Sequence, residues 1–252
     1  MQNTVKTVIG RALGAVGLRN VARRIESTMR PGGFRAESPI TLEAVERALG
    51  IVGAQGLADR GDYYEFGIFR GYTLWYAQQL MNRLGYRSMR VVGFDSFEGL
   101  PEVSGVDDYK GDFSKGQYAA SLAYVRDQLT KHGVDWQRTI LVPGYFQATL
   151  NAELKRELAL RPAATVLIDC DLYESARLAL GFIGDLLLDG AIVIFDDWNA
   201  FDRDDDRGER RAFREFLAGR PDIAAEALFD YGTHGKAFRV ARTGSAHRAQ
   251  PG

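Results

Sequence analysis

The stretch TVLIDCD at residues 165–171 contains four β-branched or aliphatic residues followed directly by acids, and AIVIFDD at residues 191–197 repeats this pattern. Both stretches predict strands that are buried on both faces, because their apolar residues are continuous and do not alternate with polar ones. Residues 62–66 and 89–94 predict two further strands, and helical stretches separate these strands along the chain. The alternation predicts an α/β fold: a doubly wound, mostly parallel sheet with helices on both faces.

Outside these strands the pattern predicts several helices and a C-terminal antiparallel hairpin. Thr41 is the predicted N-cap of a helix that runs to about Val52. Residues 117–132 and 174–188 predict two longer helices on apolar spacing. The hairpin is predicted from residues 225–229 and 237–240.

Composition places the chain among globular proteins and excludes several classes. The 252 residues are 46% hydrophobic and 26% charged, and the net charge of −1 predicts no nucleic-acid partner. No apolar run approaches the ~20 residues that a membrane span needs. The single cysteine, Cys170, fits a reducing compartment, so we expect a cytoplasmic location.

The first 35 residues differ from the rest in charge. They hold seven basic residues against one acid, Glu26, and their apolar residues recur at helical spacing. We therefore expect a basic amphipathic helix with a linker over residues 1–35, a main domain over residues 36–242 and a polar tail over residues 243–252. The segment 34–42 is either a lid over a site or a surface connector.

Acids follow four of the predicted strands. Any one of them can be explained as a helix cap, but the carboxyl ends of parallel strands share one edge, where ligands bind. The acids at that edge are Glu65, Asp95, Asp169, Asp171, Asp196 and Asp197. Crowded carboxylates repel one another unless a cation neutralises them, and oxygen donors without a Cys or His cluster favour Mg²⁺, or Mn²⁺ or Ca²⁺.

The turn after the first strand, EFGIFRG at residues 65–71, holds two glycines that allow a ligand to approach the backbone closely. Its spacing is neither the G-x-G-x-x-G of dinucleotide binders nor a P-loop. Asp95 at the end of the second strand can accept both hydroxyls of a ribose. These features together suit an adenosine-type ligand that carries a cationic amino group.

The ordered motifs YEFGIFRG (64–71), FDSFEGLP (94–101), GDF (111–113), IDCDLYES (168–175) and FDD (195–197) resemble those of the macrocin O-methyltransferase family. The resemblance covers roughly residues 60 to 215. Members of this family have a Rossmann-like fold and transfer a methyl group from S-adenosylmethionine to sugar hydroxyls of natural products, with a divalent metal. The resemblance implies the same cofactors here, a small-molecule or glycan acceptor, and a homo-oligomer.

The resemblance also implies roles for individual residues. Glu65 and Gly67 would contact the methionine part of the cofactor, Asp95 and Ser96 the ribose, and Asp112 and Phe113 the adenine. Asp169, Asp196 and Asp197 would bind Mg²⁺, and Asp171 would be the general base. Two alternatives stay open: a metal-dependent methyltransferase of catechol-type phenols, and a non-catalytic protein that binds S-adenosylmethionine.

Overall fold

A computed structural model of the chain describes residues 34–243. The predicted basic helix with its linker and the polar tail therefore lie almost wholly outside the described residues. The described helices are α1 (Pro39–Ala54), α2 (Tyr72–Leu84), α3 (Leu122–Lys131), α4 (Phe146–Thr149), α5 (Ala152–Glu157), α6 (Tyr173–Ile183) and α7 (Gly208–Ala218). The strands are β1 (Asp62–Phe66), β2 (Val91–Asp95), β3 (Thr139–Pro143), β4 (Ala163–Ile168), β5 (Leu187–Phe195), β6 (Ile223–Tyr231) and β7 (Gly235–Arg242).

The seven strands form one sheet in the order β3-β2-β1-β4-β5-β7-β6. The first five strands are parallel, whereas β7 pairs antiparallel with both β5 and β6. Every residue of β1 and β4 is buried, as the continuous apolar patterns predict. The predicted doubly wound sheet and its C-terminal hairpin are confirmed.

Helices cover both faces of the sheet, and each face has its own apolar core. Core residues of α1, α2 and α3 on one face include Val45, Leu49, Leu74, Met81 and Leu129. Core residues of α6 and α7 on the other face include Ala176, Leu180, Ile183, Ala212 and Phe213. Because successive residues of a strand point to opposite faces, Tyr63 of β1 enters the first core and Tyr64 enters the second.

Three predicted element boundaries are wrong. The N-cap of α1 is Ser38, whose Oγ accepts the Thr41 backbone N–H at 3.3 Å, and Pro39 occupies the first helical turn. Helix α3 begins only after its cap Ser121, so residues 117–121 lie outside it. Helix α6 ends at Ile183 because the chain from Leu187 onward pairs with β4.

The chain order reverses between β1 and β4, where connections leave the sheet in opposite directions. In open α/β sheets a cleft forms at this position, beyond the carboxyl ends of the strands. Gly67, directly after β1, lies at this position, where its backbone packs against the backbone after β4. It has φ +92, and a Cβ added there would lie 1.7 Å from the carbonyl oxygen of Asp169 after β4.

We predict that Gly67→Ala lowers the free energy of unfolding by more than about 3 kcal/mol, because it combines positive-φ strain with a backbone clash. Gly56→Ala is the matched control: Gly56 has φ +67 but no atom within 4 Å of an added Cβ. Strain alone should lower its stability by roughly 1–2 kcal/mol. Urea denaturation of both variants measures the difference, and equal losses would contradict the close approach of β1 and β4.

Candidate active site

A cavity of about 320 Å³ lies beyond the carboxyl ends of β1, β2, β4 and β5. This volume falls in the range of small-molecule sites in proteins. Eight of the ten site residues predicted from the sequence line it: Glu65, Gly67, Asp95, Ser96, Asp169, Asp171, Asp196 and Asp197. The sheet therefore brings together side chains that are up to 132 positions apart (Glu65 to Asp197).

The carboxylates in this cavity are close enough to perturb one another. Burial, and then the negative charges of Asp196 and Asp197, raise the pKa of Asp169 well above its usual range. Burial also raises the pKa of Asp196. Such a cluster is a site where a bound cation would replace protons.

Asp196 is held by hydroxyl groups from two distant elements. Its Oδ1 accepts the Thr41 hydroxyl of α1 at 2.7 Å and the Tyr231 hydroxyl of β6 at 3.0 Å. Both hydrogen bonds act to lower the pKa of Asp196 and so oppose the larger effect of its burial. Since both donors bind the same oxygen, no hydrogen bond from them reaches Oδ2.

Asp197 is supported by a buried acid that sequence reasoning missed. Glu209, in the first turn of α7, accepts the Asp197 backbone N–H at 3.0 Å, while its Oε1 has no hydrogen-bond partner. Burial, followed by the charges of Asp197 and Asp196, raises the pKa of Glu209 well above its usual range. Glu209 directly follows Gly208, the first residue of α7, and no sequence signal separated it from an ordinary first-turn acid.

Within residues 34–243, no three or more His, Cys, Asp or Glu side chains are already arranged as ligands of one metal ion. The acids converge on the cavity, but the geometry by itself defines no ion position. The metal set Asp169, Asp196 and Asp197 therefore stays a prediction.

Glu65 is fully buried at the end of β1 and also lines the cavity. Its Oε2 accepts the Tyr63 hydroxyl at 2.7 Å, and its Oε1 has no hydrogen-bond partner. Burial raises the pKa of Glu65 to about 8. Burying a carboxyl oxygen without a hydrogen-bond partner costs free energy. Because Glu65 lies beside a cavity, the unpartnered oxygen indicates a ligand that donates a hydrogen bond.

Asp95 organises the backbone around the cavity. Its Oδ2 accepts the N–H groups of Ile68 at 2.7 Å and Phe69 at 2.9 Å, and its Oδ1 accepts that of Phe97 at 2.6 Å. Phe69 and Phe97 have φ +49 and +57, unusual for bulky residues. A carboxylate offers about four acceptor positions, so Asp95 retains one for a ribose and not the expected two. The Ser96 hydroxyl is occupied within its own loop, by Gly99 O and Glu98 N.

Asp112 and Phe113, predicted to contact an adenine, do not line the cavity. The ring of Phe113 lies 5.5 Å from that of Phe201, and the Asp112 backbone N–H donates to Tyr109 O at 2.9 Å. The corresponding cavity wall is formed by Leu100, Pro101, Tyr118, Tyr145, Phe146 and Gln147. Residues 145–147 follow β3, so the strand-end argument applied to the third strand would have found them.

Two further residues of interest are Asp171, in the loop after β4, and Trp198, in the loop after β5. Asp171 lines the cavity with φ +59, a left-handed conformation that Asp tolerates better than most residues and that is common at functional sites. Trp198 is partly buried and packs against Phe195 at 5.2 Å and Phe238 at 4.8 Å, both of which belong to the second core.

The segment before α1, through Arg35, Glu37 and Ser38, and the first turn of α1, through Thr41, form one side of the cavity. Glu37 accepts from Arg70 at 2.9 Å, which links this segment to the turn after β1. Phe34 stacks on the His132 ring at 4.1 Å. Four residues of the segment 34–42 therefore line the cavity, and its role as a lid or as a connector stays a prediction.

Comparison with known proteins shows which family has this sequence pattern and fold. The family model of macrocin-O-methyltransferase (TylF) matches residues 40–220. The chain is 33% identical over 144 residues to 8-demethyl-8-(2,3-dimethoxy-alpha-L-rhamnosyl)-tetracenomycin-C 4'-O-methyltransferase of Streptomyces olivaceus, covering 55% of this chain and 53% of the relative. It is 28% identical over 147 residues to mycinamicin III 3''-O-methyltransferase of Micromonospora griseorubida, covering 55% of each. The chain thus spans about half the length of the curated relatives it matches.

Two solved structures show the same fold. The O-methyltransferase NovP superimposes with a TM-score of 0.68 at 24% identity, covering 87% of this chain and 88% of its own. The calicheamicin methyltransferase CalS11 superimposes with a TM-score of 0.65 at 24% identity, covering 87% of this chain and 90% of its own. None of the helices within residues 34–243 is long and apolar enough to cross a membrane. Because the family model matches well over half of its length, the chain belongs to the macrocin-O-methyltransferase (TylF) family.

Proposed function

We propose that this protein transfers a methyl group from S-adenosylmethionine to a sugar hydroxyl of a natural product or glycoconjugate, assisted by a divalent metal. The observation that carries the proposal is the buried Glu65, whose Oε1 has no partner and which lines a cavity shared with Asp169 and Asp196. An unpartnered carboxyl oxygen suits the ammonium group of the cofactor. Family membership and the sugar-directed names of relatives support the acceptor class.

The cofactor would lie along the edge formed by β1 and β2. Its amino group would pair with Glu65, its chain would pass over Gly67, and one ribose hydroxyl would donate to Asp95. Ser96 would act by shaping the loop after β2. Since Asp112 and Phe113 lie off the cavity, we propose that the adenine packs on the wall that includes Tyr118 and Phe146.

The acids after β4 and β5 fit a divalent metal such as Mg²⁺ in their chemistry. Asp169, Asp196 and Asp197 supply hard oxygen donors. Burial, and then their mutual repulsion, raise the pKa of Asp169, and a bound cation would relieve the repulsion. These three residues would hold the ion. When bound, a divalent ion supplies Lewis-acid stabilisation of an alkoxide and a template for two neighbouring hydroxyls.

Asp171 is the proposed general base. It lines the same cavity and belongs to the loop after β4 that also carries Asp169. A sugar hydroxyl is a weak nucleophile, and methyl transfer needs its oxygen in line with the breaking bond, about 3 Å from the methyl carbon. A carboxylate that accepts the hydroxyl proton contributes roughly 10²–10⁴-fold to the rate.

The function is tested by incubating the protein with S-adenosylmethionine, Mg²⁺ and a panel of acceptors, and measuring S-adenosylhomocysteine formation. We expect turnover with glycosides that carry neighbouring hydroxyls, loss of turnover in EDTA, and recovery when Mg²⁺ is returned. Preference for catechols would favour the phenol methyltransferase. Binding of S-adenosylmethionine without turnover on any acceptor would favour a non-catalytic protein.

We predict that Asp171→Asn reduces turnover by roughly 10²–10⁴-fold, because the amide accepts no proton at neutral pH. Cofactor affinity, measured by calorimetry, should stay unchanged, since Glu65 and Asp95 are untouched. Asp204→Asn is the control, because Asp204 is exposed and does not line the cavity, and this variant should keep full turnover. Wild-type turnover in the Asp171 variant would exclude it as the base.

Cofactor binding should release a proton from Glu65. With a pKa of about 8 this carboxyl is protonated at pH 6.5, while the ligand ammonium favours its ionised form. Titration of S-adenosylhomocysteine at pH 6.5 in phosphate and in imidazole, two buffers with different heats of ionisation, should therefore report release of about one proton per ligand. Affinity should rise with pH up to about 8, where the free carboxyl is itself ionised.

Glu65→Gln is the control for this measurement, because the amide has no proton to release. Its binding heats should be equal in the two buffers after correction for dilution. Equal heats in the wild-type protein would show that Glu65 is already ionised or does not meet the cofactor.

A further inference from the structure

We propose that Tyr63 is a positioning residue for cofactor binding: its hydroxyl fixes one oxygen of Glu65 in the core and thereby presents the other to the ligand. The inference rests on the proposed function, because it assumes that Glu65 receives the ammonium group of the cofactor. No sequence motif pointed to Tyr63, which precedes the turn motif.

The geometry follows from strand alternation. Tyr63 and Glu65 are two positions apart on β1, so their side chains lie on the same face of the sheet, and both are fully buried. The Tyr63 hydroxyl donates to Glu65 Oε2 at 2.7 Å. Glu65 lines the cavity, whereas Tyr63 belongs to the core between the sheet and helices α1 and α2. The hydrogen bond therefore reaches Glu65 from the core.

The two carboxyl oxygens of Glu65 are consequently unequal. Oε2 is satisfied by Tyr63, whereas Oε1 has no hydrogen-bond partner. The terminal torsion of a glutamate is soft, so burial alone does not select which oxygen faces a ligand. The Tyr63 hydroxyl removes this freedom before the ligand arrives, and preorganisation of this kind raises affinity by lowering the ordering that binding requires.

Tyr63 is suited to be a permanent donor. Burial, and then the charge of Glu65, raise the pKa of Tyr63 well above its usual range, so the phenol keeps its proton at neutral pH. The groups that face Glu65 besides Tyr63 are the carboxylates of Asp95, Asp196 and Asp169, and the Leu74 N–H in the first turn of α2, which acts to lower the pKa of Glu65. Among the side chains in this set, Tyr63 is the hydrogen-bond donor.

The neighbouring Tyr64 provides a matched control. It is equally buried in the same strand but points to the opposite face, where its hydroxyl donates to the carbonyl oxygen of Arg161 at 2.5 Å. Tyr64→Phe and Tyr63→Phe each remove one buried hydroxyl and one hydrogen bond while keeping the ring. They differ in whether the lost bond reaches the cavity.

The test is calorimetric titration of both variants with two ligands, S-adenosylhomocysteine and 5′-methylthioadenosine, which lacks the amino-acid part. Tyr63→Phe should weaken S-adenosylhomocysteine about tenfold, as expected for a hydrogen bond to a charged group, and leave methylthioadenosine unchanged. KM for S-adenosylmethionine should rise with kcat unchanged. Tyr64→Phe should leave both affinities at the wild-type value.

Each other outcome is informative. Unchanged S-adenosylhomocysteine binding in Tyr63→Phe, or equal loss of both ligands, overturns the positioning role. Failure of the wild-type protein to bind S-adenosylhomocysteine instead overturns the proposed function together with this inference.

Glu65→Gln gives a second measurement that keeps Tyr63 in place should Tyr63→Phe not fold. The Tyr63 hydroxyl would draw the amide oxygen toward the core and turn the NH₂ group toward the ligand ammonium. S-adenosylhomocysteine should then bind more than about 30-fold weaker, with methylthioadenosine unchanged. A loss below about threefold would mean that the amide rotates freely, which contradicts the proposal.

Discussion

Buried carboxylates at one edge of a parallel sheet are the constraint on which the rest of this structure depends. Glu65, Asp169 and Asp196 lie where burial strongly favours their neutral forms. A protein that keeps such groups at one place must supply hydrogen-bond donors, protons or a cationic ligand. The described donors are hydroxyl and backbone N–H groups, and these satisfy the acids only in part.

The hydrogen bonds that these carboxylates accept are directed to particular oxygen atoms. Asp196 receives two hydroxyls on a single oxygen, and Glu65 receives one hydroxyl on the oxygen nearer the core. Asp95 receives three backbone N–H groups and thereby holds two aromatic residues in left-handed conformations. The packing of the core is thus linked to the orientation of each carboxylate. A substitution in the core would therefore change how these carboxylates face the cavity.

The parts of the site that were predictable are those that depend on strand order alone. Continuous apolar runs identify β4 and β5, and topology places the acids that follow them at one edge. Asp112 and Phe113 belong to a long loop after β2, whose path no periodicity specifies; the two ends of this loop line the cavity through Leu100 and Tyr118, but Asp112 and Phe113 do not. The predicted end of α6 was wrong for a related reason, since strand pairing overrides helix propensity near Leu187.

The sequence by itself determined the class of fold, the alternation of buried strands and helices, and the set of acids at the strand ends, because these are local patterns read along the chain. Only the tertiary structure decided which oxygen of each acid is occupied. Thr41, Tyr231 and Glu209 each contact a site residue from another element. A hydrogen bond between groups distant in sequence requires the packed core to bring them within 3 Å, and no one-dimensional spacing encodes that approach.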